Sequence, residues 1–221
     1  MKSPQNDRPT FPILSLGGII SWRALVLIVA GCVCVSTSRA TSVVPPEFDE
    51  LVNQADYIVQ AIVVSVTPDA RPRASGTASI HSLVNLQVER TIAGKPPSPL
   101  VLDILGGTVG DRELRVTGAP RYEVGERAVF FVQGNGRQIH PLVRMMHGLY
   151  PLDKDGSTGR TYVARADHSP LNDVREVSRP MGERTSVSAP LGVRATDAAL
   201  TPEQFEATIK AHVTNPRLLE K

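Results

Sequence analysis

Apolar residues recur at helical spacing near both ends of the chain. Near residue 50, four apolar residues lie at i, i+3, i+4 and i+7, beside three acidic residues that suit a first helical turn. The apolar residues are Phe48, Leu51, Val52 and Ala55, and the acidic ones are Glu47, Asp49 and Glu50. Helical spacing returns after Thr201-Pro202-Glu203-Gln204, which forms a capping-box pattern with proline at the first helical position. These patterns predict a helix at each end of the domain.

Strand patterns fill the region between these helices. Residues 57–66 are rich in β-branched side chains and predict a central strand, and residues 80–88 alternate between apolar and polar side chains. Shorter strands are predicted at Leu100–Leu105, Glu113–Val116, Arg127–Gln133, Ile139–Arg144 and Arg160–Val163. Because no helical pattern separates these strands, the predicted fold is mainly β, a small antiparallel β-barrel with an N-terminal and a C-terminal helix.

The region before the last helix lacks a regular pattern. Residues 166–200 have little periodicity and contain three prolines, Pro170, Pro180 and Pro190, so they predict a flexible linker. The predicted organisation is a leader over 1–40, a helix-plus-barrel domain over 41–165, the linker over 166–200 and a C-terminal helix over 201–221.

The first 40 residues resemble an export signal. An apolar run over 24–35 follows Arg23, and Ser38-Arg39-Ala40 fits a signal-peptidase site with cleavage after Ala40. Only residues 24–38 separate Arg23 from Arg39, whereas a membrane-spanning helix needs roughly 20 apolar residues, so a permanent span is disfavoured. The protein is therefore expected to be exported to the periplasm or the exterior.

A second way of processing the leader remains open. Val29-Ala30-Gly31-Cys32 matches the lipobox of bacterial lipoproteins, in which the cysteine is lipidated and becomes the N-terminus. The apolar run continues beyond Cys32, whereas polar residues usually follow a lipidated cysteine, so simple cleavage after Ala40 is favoured. Membrane contact is expected only through the leader or such a lipid anchor.

Composition narrows the functional classes. The 221 residues include 24 Lys and Arg and 22 Asp and Glu, and the leader contains four of these basic residues and one acidic residue. The chain after residue 40 therefore has 20 basic and 21 acidic residues, without the positive excess typical of nucleic-acid binders. Both cysteines, Cys32 and Cys34, lie in the leader, so the chain after Ala40 has no thiolate ligand or cysteine nucleophile.

Three segments resemble netrin-type modules of the tissue-inhibitor-of-metalloproteinase kind. They are Ala55–Ala61, Leu86–Lys95 and Tyr122–Val132. The chain is also similar to exported bacterial proteins with the same order of helix and barrel. The resemblance implies an OB-like barrel. In the inhibitors an N-terminal cysteine binds the protease zinc, whereas cleavage after Ala40 leaves Thr41 first, so no functional residue is carried over.

Catalytic and metal-binding motifs are absent from the sequence. The five histidines form no His-Glu-x-x-His pattern, and Gly106–Arg112 lacks the Gly-Lys-Ser/Thr ending of a phosphate loop and predicts a turn. Asp153 and Asp155 belong to Asp-Lys-Asp-Gly, also a turn pattern. We therefore expect no metal, no cofactor and no catalytic residue.

One segment combines side chains suited to recognition. Residues 137–150 contain guanidinium, imidazole, thioether and phenol groups, a mixture common at protein interfaces. The candidate binding residues are Arg137, His140, Arg144, His147 and Tyr150, with Met145 and Met146 as apolar contacts. The favoured function is a noncatalytic module that binds a protein or glycan of the cell envelope. The alternative is an envelope hydrolase, or another enzyme, that uses residues on the face of the barrel.

Overall fold

The computed structural model describes residues 44–72, 78–182 and 194–219, and these residues form a mainly β protein. The proposed processing positions, Cys32 and Ala40, lie outside the described residues. The strands are β1 (Tyr57–Arg71), β2 (Ser79–Gly94), β3 (Leu100–Leu105), β4 (Gly107–Val109), β5 (Arg112–Leu114), β6 (Arg127–Val132), β7 (Leu149–Lys154) and β8 (Thr161–Val163). The α-helices are α1 (Phe48–Gln54), α2 (Ala195–Ala198), α3 (Pro202–His212) and α4 (Pro216–Leu219), and two 3-10 helices span Met145–Gly148 and Val174–Ser178.

Six strands form one antiparallel sheet in the order β3-β2-β1-β6-β7-β8, and β4 and β5 form a separate hairpin. Strand β3 is one edge of the large sheet and β8 is the other, so the described strands form an open sheet. The mainly β class predicted from the sequence is confirmed, but the closed barrel is not. Strand β1 contains three register shifts, and such bulges bend a strand.

Both faces of the sheet are buried. Successive side chains of β6 alternate, with Val129 and Phe131 in the core that packs under the helices and Phe130 and Val132 in the opposite core. The helix-side core also contains Phe48, Leu51, Val52, Ile58, Tyr150, Leu171, Val177, Phe205 and Ile209. Burial of each large apolar side chain stabilises the folded state by roughly 1.5–3 kcal/mol. The sheet is therefore held between two apolar cores, one on each face.

The two terminal helices were predicted from the sequence and are confirmed. Helix α1 buries its apolar stripe, and α3 begins with the expected capping box between Thr201 and Gln204. The backbone N–H of Gln204 donates to Thr201 Oγ1 at 3.2 Å, and the N–H of Thr201 donates to Gln204 Oε1 at 2.9 Å. The last helix is shorter than predicted, because α3 ends at His212 and the turn of α4 begins separately at Pro216.

One strand prediction is wrong, and two strands were missed, the short β4 at a predicted turn and β7. Residues 139–144 contribute only an isolated bridge from Leu142 to Val132, because Arg144 and Met145 take left-handed backbone conformations that end any strand. The longer of the two missed strands is β7, which contains Pro151. Proline removes a donor from a ladder and argues against a strand in the sequence, but here the Pro151 carbonyl accepts from Ala164 N at 2.8 Å.

The predicted linker over 166–200 is also wrong for its described parts. Leu171 and Val177 have no exposed surface and belong to the helix-side core. The Leu171 carbonyl accepts from Leu200 N at 2.8 Å, and the Leu200 carbonyl accepts from Val163 N at the same distance. Since these contacts bind residues on both sides of 183–193 to the sheet, the described segments are part of the domain.

Candidate functional site

The two arginines predicted to bind a partner are exposed but already paired. Arg137 Nη2 lies 3.3 Å from Asp56 Oδ2, and Arg144 pairs with Glu50 of α1. The Arg144 hydrogen bond is the main cause that holds the pKa of Glu50 below its usual value. Both arginines therefore connect this segment to residues near the start of the domain, and a partner has to compete with these ion pairs.

The other three predicted binding residues are buried. His140, His147 and Tyr150 are 4%, 2% and 0% exposed. Tyr150 packs its ring at 5.5 Å from Phe131 and 5.1 Å from Phe205, so it belongs to the core. The segment 137–150 is therefore not one continuous binding surface. The physical reason is that this chain turns inward at Pro141–Val143, which are buried.

Burial determines the charge state of the two histidines. It lowers the pKa of His140 to about 4, and His140 Nε2 lies 3.4 Å from the Tyr122 hydroxyl. Burial, aided by the positive charge of Arg165, also lowers the pKa of His147 to about 4. Both imidazoles are neutral at pH 7, so neither offers a positive charge to a partner.

A cleft of about 560 Å³ lies beside this segment and gathers titratable side chains from distant parts of the chain. We call it the Glu126 cleft. Its lining residues are Ala119, Pro120, Arg121, Glu123, Glu126, Met146, Ala166, Asp167, His168, Met181 and Gly182. Its carboxylates outnumber its arginines, and its two methionines offer adaptable apolar contact.

His168 is held in the cleft by a carboxylate and by an unusual backbone. Its Nδ1 lies 2.9 Å from Asp153 Oδ2, and this hydrogen bond raises the pKa of His168 above its usual value. The residue has φ +61°, a left-handed conformation that is uncommon outside glycine and is frequent at functional sites. Since Nδ1 faces Asp153, the other ring nitrogen, Nε2, is left for contacts with a ligand.

Glu126 is the half-buried carboxyl among the three that line the cleft, since Glu123 and Asp167 are exposed. Burial raises its pKa, the charges of Glu123 and Asp153 add to this, and His168 acts in the opposite direction. Its side chain accepts one hydrogen bond, from the backbone N–H of Glu123 at 3.2 Å. The ionised form of Glu126 therefore has no hydrogen-bonded cation among the described residues.

Asp167 has the opposite character. Burial alone raises its pKa, but hydrogen bonds from Ser169 and from the Gly182 N–H, at 3.0 Å, lower the pKa below its usual value overall. Asp167 is therefore ionised at neutral pH and joins the chain at 167–169 to the turn at Gly182. This hydrogen bond fixes one wall of the Glu126 cleft.

A second cleft, of about 510 Å³, shares Ala119, Pro120 and Arg121 with the first. Its other charged residues are Glu113 and Arg115, which pair with each other at 2.5 Å. Because these two charges neutralise each other, the Glu126 cleft is the stronger candidate site. In the sequence, Glu126 was noted only within the Tyr122–Val132 segment that resembles netrin-type modules, Asp153 only as a turn residue and His168 only within the predicted linker. No local pattern shows that the fold brings them together.

The described residues show neither a metal-binding cluster nor a membrane-spanning helix. In the described ranges, no group of three or more His, Cys, Asp or Glu side chains is arranged to hold a metal ion. No helix among the same residues is long and apolar enough to cross a bilayer. Comparison of the chain with protein-family models, with curated proteins and with solved structures gives no match.

Proposed function

We propose that this chain is an exported, noncatalytic recognition module and that the Glu126 cleft binds a cationic group of its partner. The partner is a protein or glycan of the cell envelope that presents an ammonium or guanidinium group. The observation that carries the proposal is Glu126, a half-buried carboxyl whose charge is opposed by two neighbouring carboxylates and has no hydrogen-bonded cation. A ligand cation beside it supplies the missing charge.

The remaining residues of the cleft suit such a ligand. Asp167 and Glu123 add negative charge at its rim, and Met146 and Met181 supply apolar contact for the carbon chain of a lysine or arginine. A volume of about 560 Å³ lies within the range of ligand pockets. Arg121 and His168 limit the net negative charge, which favours a small cationic group over a long run of lysines.

The test is calorimetric titration with short peptides that contain lysine or arginine and with an amino-sugar oligosaccharide. Because a bound cation lowers the pKa of Glu126, binding should release protons near that pKa, and the apparent enthalpy should change with the ionisation heat of the buffer. Affinity should fall as the pH is lowered through the pKa of Glu126. Peptide binding but no sugar binding would identify a protein partner.

The Glu126→Gln variant should weaken binding at least about tenfold, since a hydrogen bond to a charged group contributes roughly 1.5–3 kcal/mol. Glu113→Gln is the matched control, because Glu113 lies in the second cleft and should not affect the titration. Equal affinities for Glu126→Gln and the unmodified chain would refute the role of this cleft.

The alternative of an envelope hydrolase also has one observation in its favour. The Asp153–His168 pair orients an imidazole at the Glu126 cleft, and a raised-pKa carboxyl beside it is the arrangement of an acid and a base. Among the described residues, the cleft is lined by no serine, threonine or cysteine, so a reaction carried by these residues would use water as the nucleophile. Hydrolysis of envelope glycans or peptides that disappears in both His168→Gln and Glu126→Gln would establish this function in place of simple recognition.

The relation to netrin-type modules belongs to the same proposal. It is supported by the order of α1 followed by the paired strands β1 and β2, and by the three bulges that bend β1. A bent, partly rolled sheet of OB-like type accounts for the apolar core that β1, β2, β3 and β6 share on one face.

A further inference from the structure

Arg165 is a buried cation without an ion-paired partner among the residues that the structure describes. It is 2% exposed, its guanidinium donates to the Arg179 carbonyl, and its Nε finds no acceptor. The acid whose charge reaches Arg165 is Asp167, but Asp167 is exposed and does not form an ion pair with Arg165. An unpaired buried charge is costly, so an opposite charge near Arg165 is expected.

Strand register places a second unpartnered group beside Arg165. Leu152 pairs with Val163, and Ala164 N donates to the Pro151 carbonyl at 2.8 Å, so Tyr150 and Arg165 are the next opposed residues. Opposed residues of antiparallel strands project from the same face of a sheet. The Tyr150 hydroxyl is fully buried and has no hydrogen-bond partner.

Two more unpartnered atoms lie in the adjoining segments. His147, three residues before Tyr150, is buried close enough to Arg165 to be affected by its charge, and its Nδ1 has no partner. Ser178 Oγ is also unpartnered, and Ser178 directly precedes Arg179, whose carbonyl accepts from Arg165. Asn172 Oδ1 is also unpartnered. A flip of this side-chain amide exchanges Oδ1 with Nδ2, so that the position would hold a donor instead of an acceptor.

The chemistry of these atoms selects the ligand. Tyr150 Oη, Arg165 Nε, Ser178 Oγ and His147 Nδ1 are all able to present hydrogen, and the group carries one permanent positive charge. We propose that Arg165, Tyr150, His147 and Ser178 form an internal site for one small monovalent anion such as chloride. Water would satisfy the hydrogen bonds but would leave the charge of Arg165 unbalanced.

A divalent anion does not fit the same site. His147 is neutral at pH 7 because its pKa is about 4, so it adds no second positive charge. Sulfate or hydrogen phosphate would then leave a buried negative charge without compensation. A halide balances the charge of Arg165 with a net charge of zero.

The site is distinct from the Glu126 cleft. Met146 and Ala166 line the cleft, and they are the chain neighbours of His147 and Arg165, which are buried. A bound anion would therefore connect Ser178, in the second 3-10 helix, to His147, which precedes β7. This contact would lie behind the wall of the Glu126 cleft.

The test is the melting temperature Tm in sodium chloride, sodium bromide and sodium gluconate at equal ionic strength. An anion bound only by the folded chain stabilises it by mass action, and at saturating halide we expect Tm to rise by about 3 °C over gluconate for a chain of this size. Tyr150→Phe removes only the hydroxyl and should abolish this difference. Tyr57→Phe, which removes a buried hydroxyl from the core on the opposite face, should retain it.

If Tyr150→Phe does not fold, Ser178→Ala provides the same test, because it removes the Ser178 hydroxyl, another donor of the proposed anion site. A halide effect of equal size in these variants and in the unmodified chain would overturn the proposal, as would the absence of any halide effect. In a crystal grown in bromide, an anomalous peak within hydrogen-bond distance of Tyr150 Oη and Arg165 Nε would support the site. Water alone at that position would refute it.

Discussion

At the scale of single residues, the buried histidines set how stability depends on pH. The pKa values of His140 and His147 are lowered to about 4, whereas an unfolded histidine has a pKa near 6.5. Between about pH 6.5 and 4 the unfolded chain therefore binds more protons than the folded chain, so stability falls as the pH is lowered through this window. At about pH 5 each histidine should cost about 2 kcal/mol relative to neutral pH.

A double variant, His140→Gln with His147→Gln, tests this acid sensitivity. Its unfolding free energy, measured by urea denaturation, should be lower at neutral pH but should change less between about pH 7.5 and 5 than that of the unmodified chain. An unchanged pH slope in the double variant would show that other groups cause the acid sensitivity.

His168 should show the opposite dependence. Its folded pKa is raised by Asp153, so its contribution to stability is fully present below the unfolded pKa and is lost as the pH rises through the folded pKa. His168→Gln should therefore lower Tm at about pH 5.5 and have little effect at about pH 9. The side chain is 64% exposed, so solvent screens the pair and the shift should be small. Asp153→Asn should reproduce the pattern, and an equal effect at both pH values would contradict it.

At the scale of elements, Phe205 attaches α3 to the sheet, together with buried Ile209 and the Glu206–Arg90 ion pair. Phe205 is fully buried between Phe48 and Phe131, with ring centroids at 6.1 Å from each, and Tyr150 at 5.1 Å. Phe205→Ala should lower the unfolding free energy by about 3–5 kcal/mol, because it removes apolar contacts and leaves a cavity. Denaturant unfolding measures this change. Glu203→Ala, an exposed change on the same helix, should stay within about 0.5 kcal/mol, and a similarly small effect of Phe205→Ala would disprove this docking.

The same scale shows why some elements were predictable. The pattern of α1 and α3 is local, since the apolar stripe and the capping residues lie within one or two helical turns. The pattern of β7 is not local. Pro151 disfavours a strand by itself, and the strand forms because β6 and β8 lie on either side of it. Residues 139–144 show the converse case, a strand-like pattern that forms no strand. The apolar residues there are buried in a turn and contribute only an isolated bridge to the sheet.

At the scale of the whole molecule, the leader predicts where the protein acts. We expect mass spectrometry of the protein from its native host to find a mature chain that begins at Thr41, because Ala40 ends a signal-peptidase pattern. A diacylglyceryl mass on Cys32 would instead establish the lipoprotein form. An intact cytoplasmic chain that begins upstream of Arg23 would exclude export.

The sequence by itself determined the mainly β class, the two terminal helices and most of the strands, because spacing and capping act between residues close in the chain. The sequence also showed that the chain after residue 40 has nearly equal numbers of basic and acidic residues and no cysteine. Only the tertiary structure decided that His140, His147 and Tyr150 are buried and that Leu171 and Val177 belong to the core. Only the structure brought Glu126, Asp153 and His168 together, because contacts between segments distant in the chain depend on sheet order and not on local spacing.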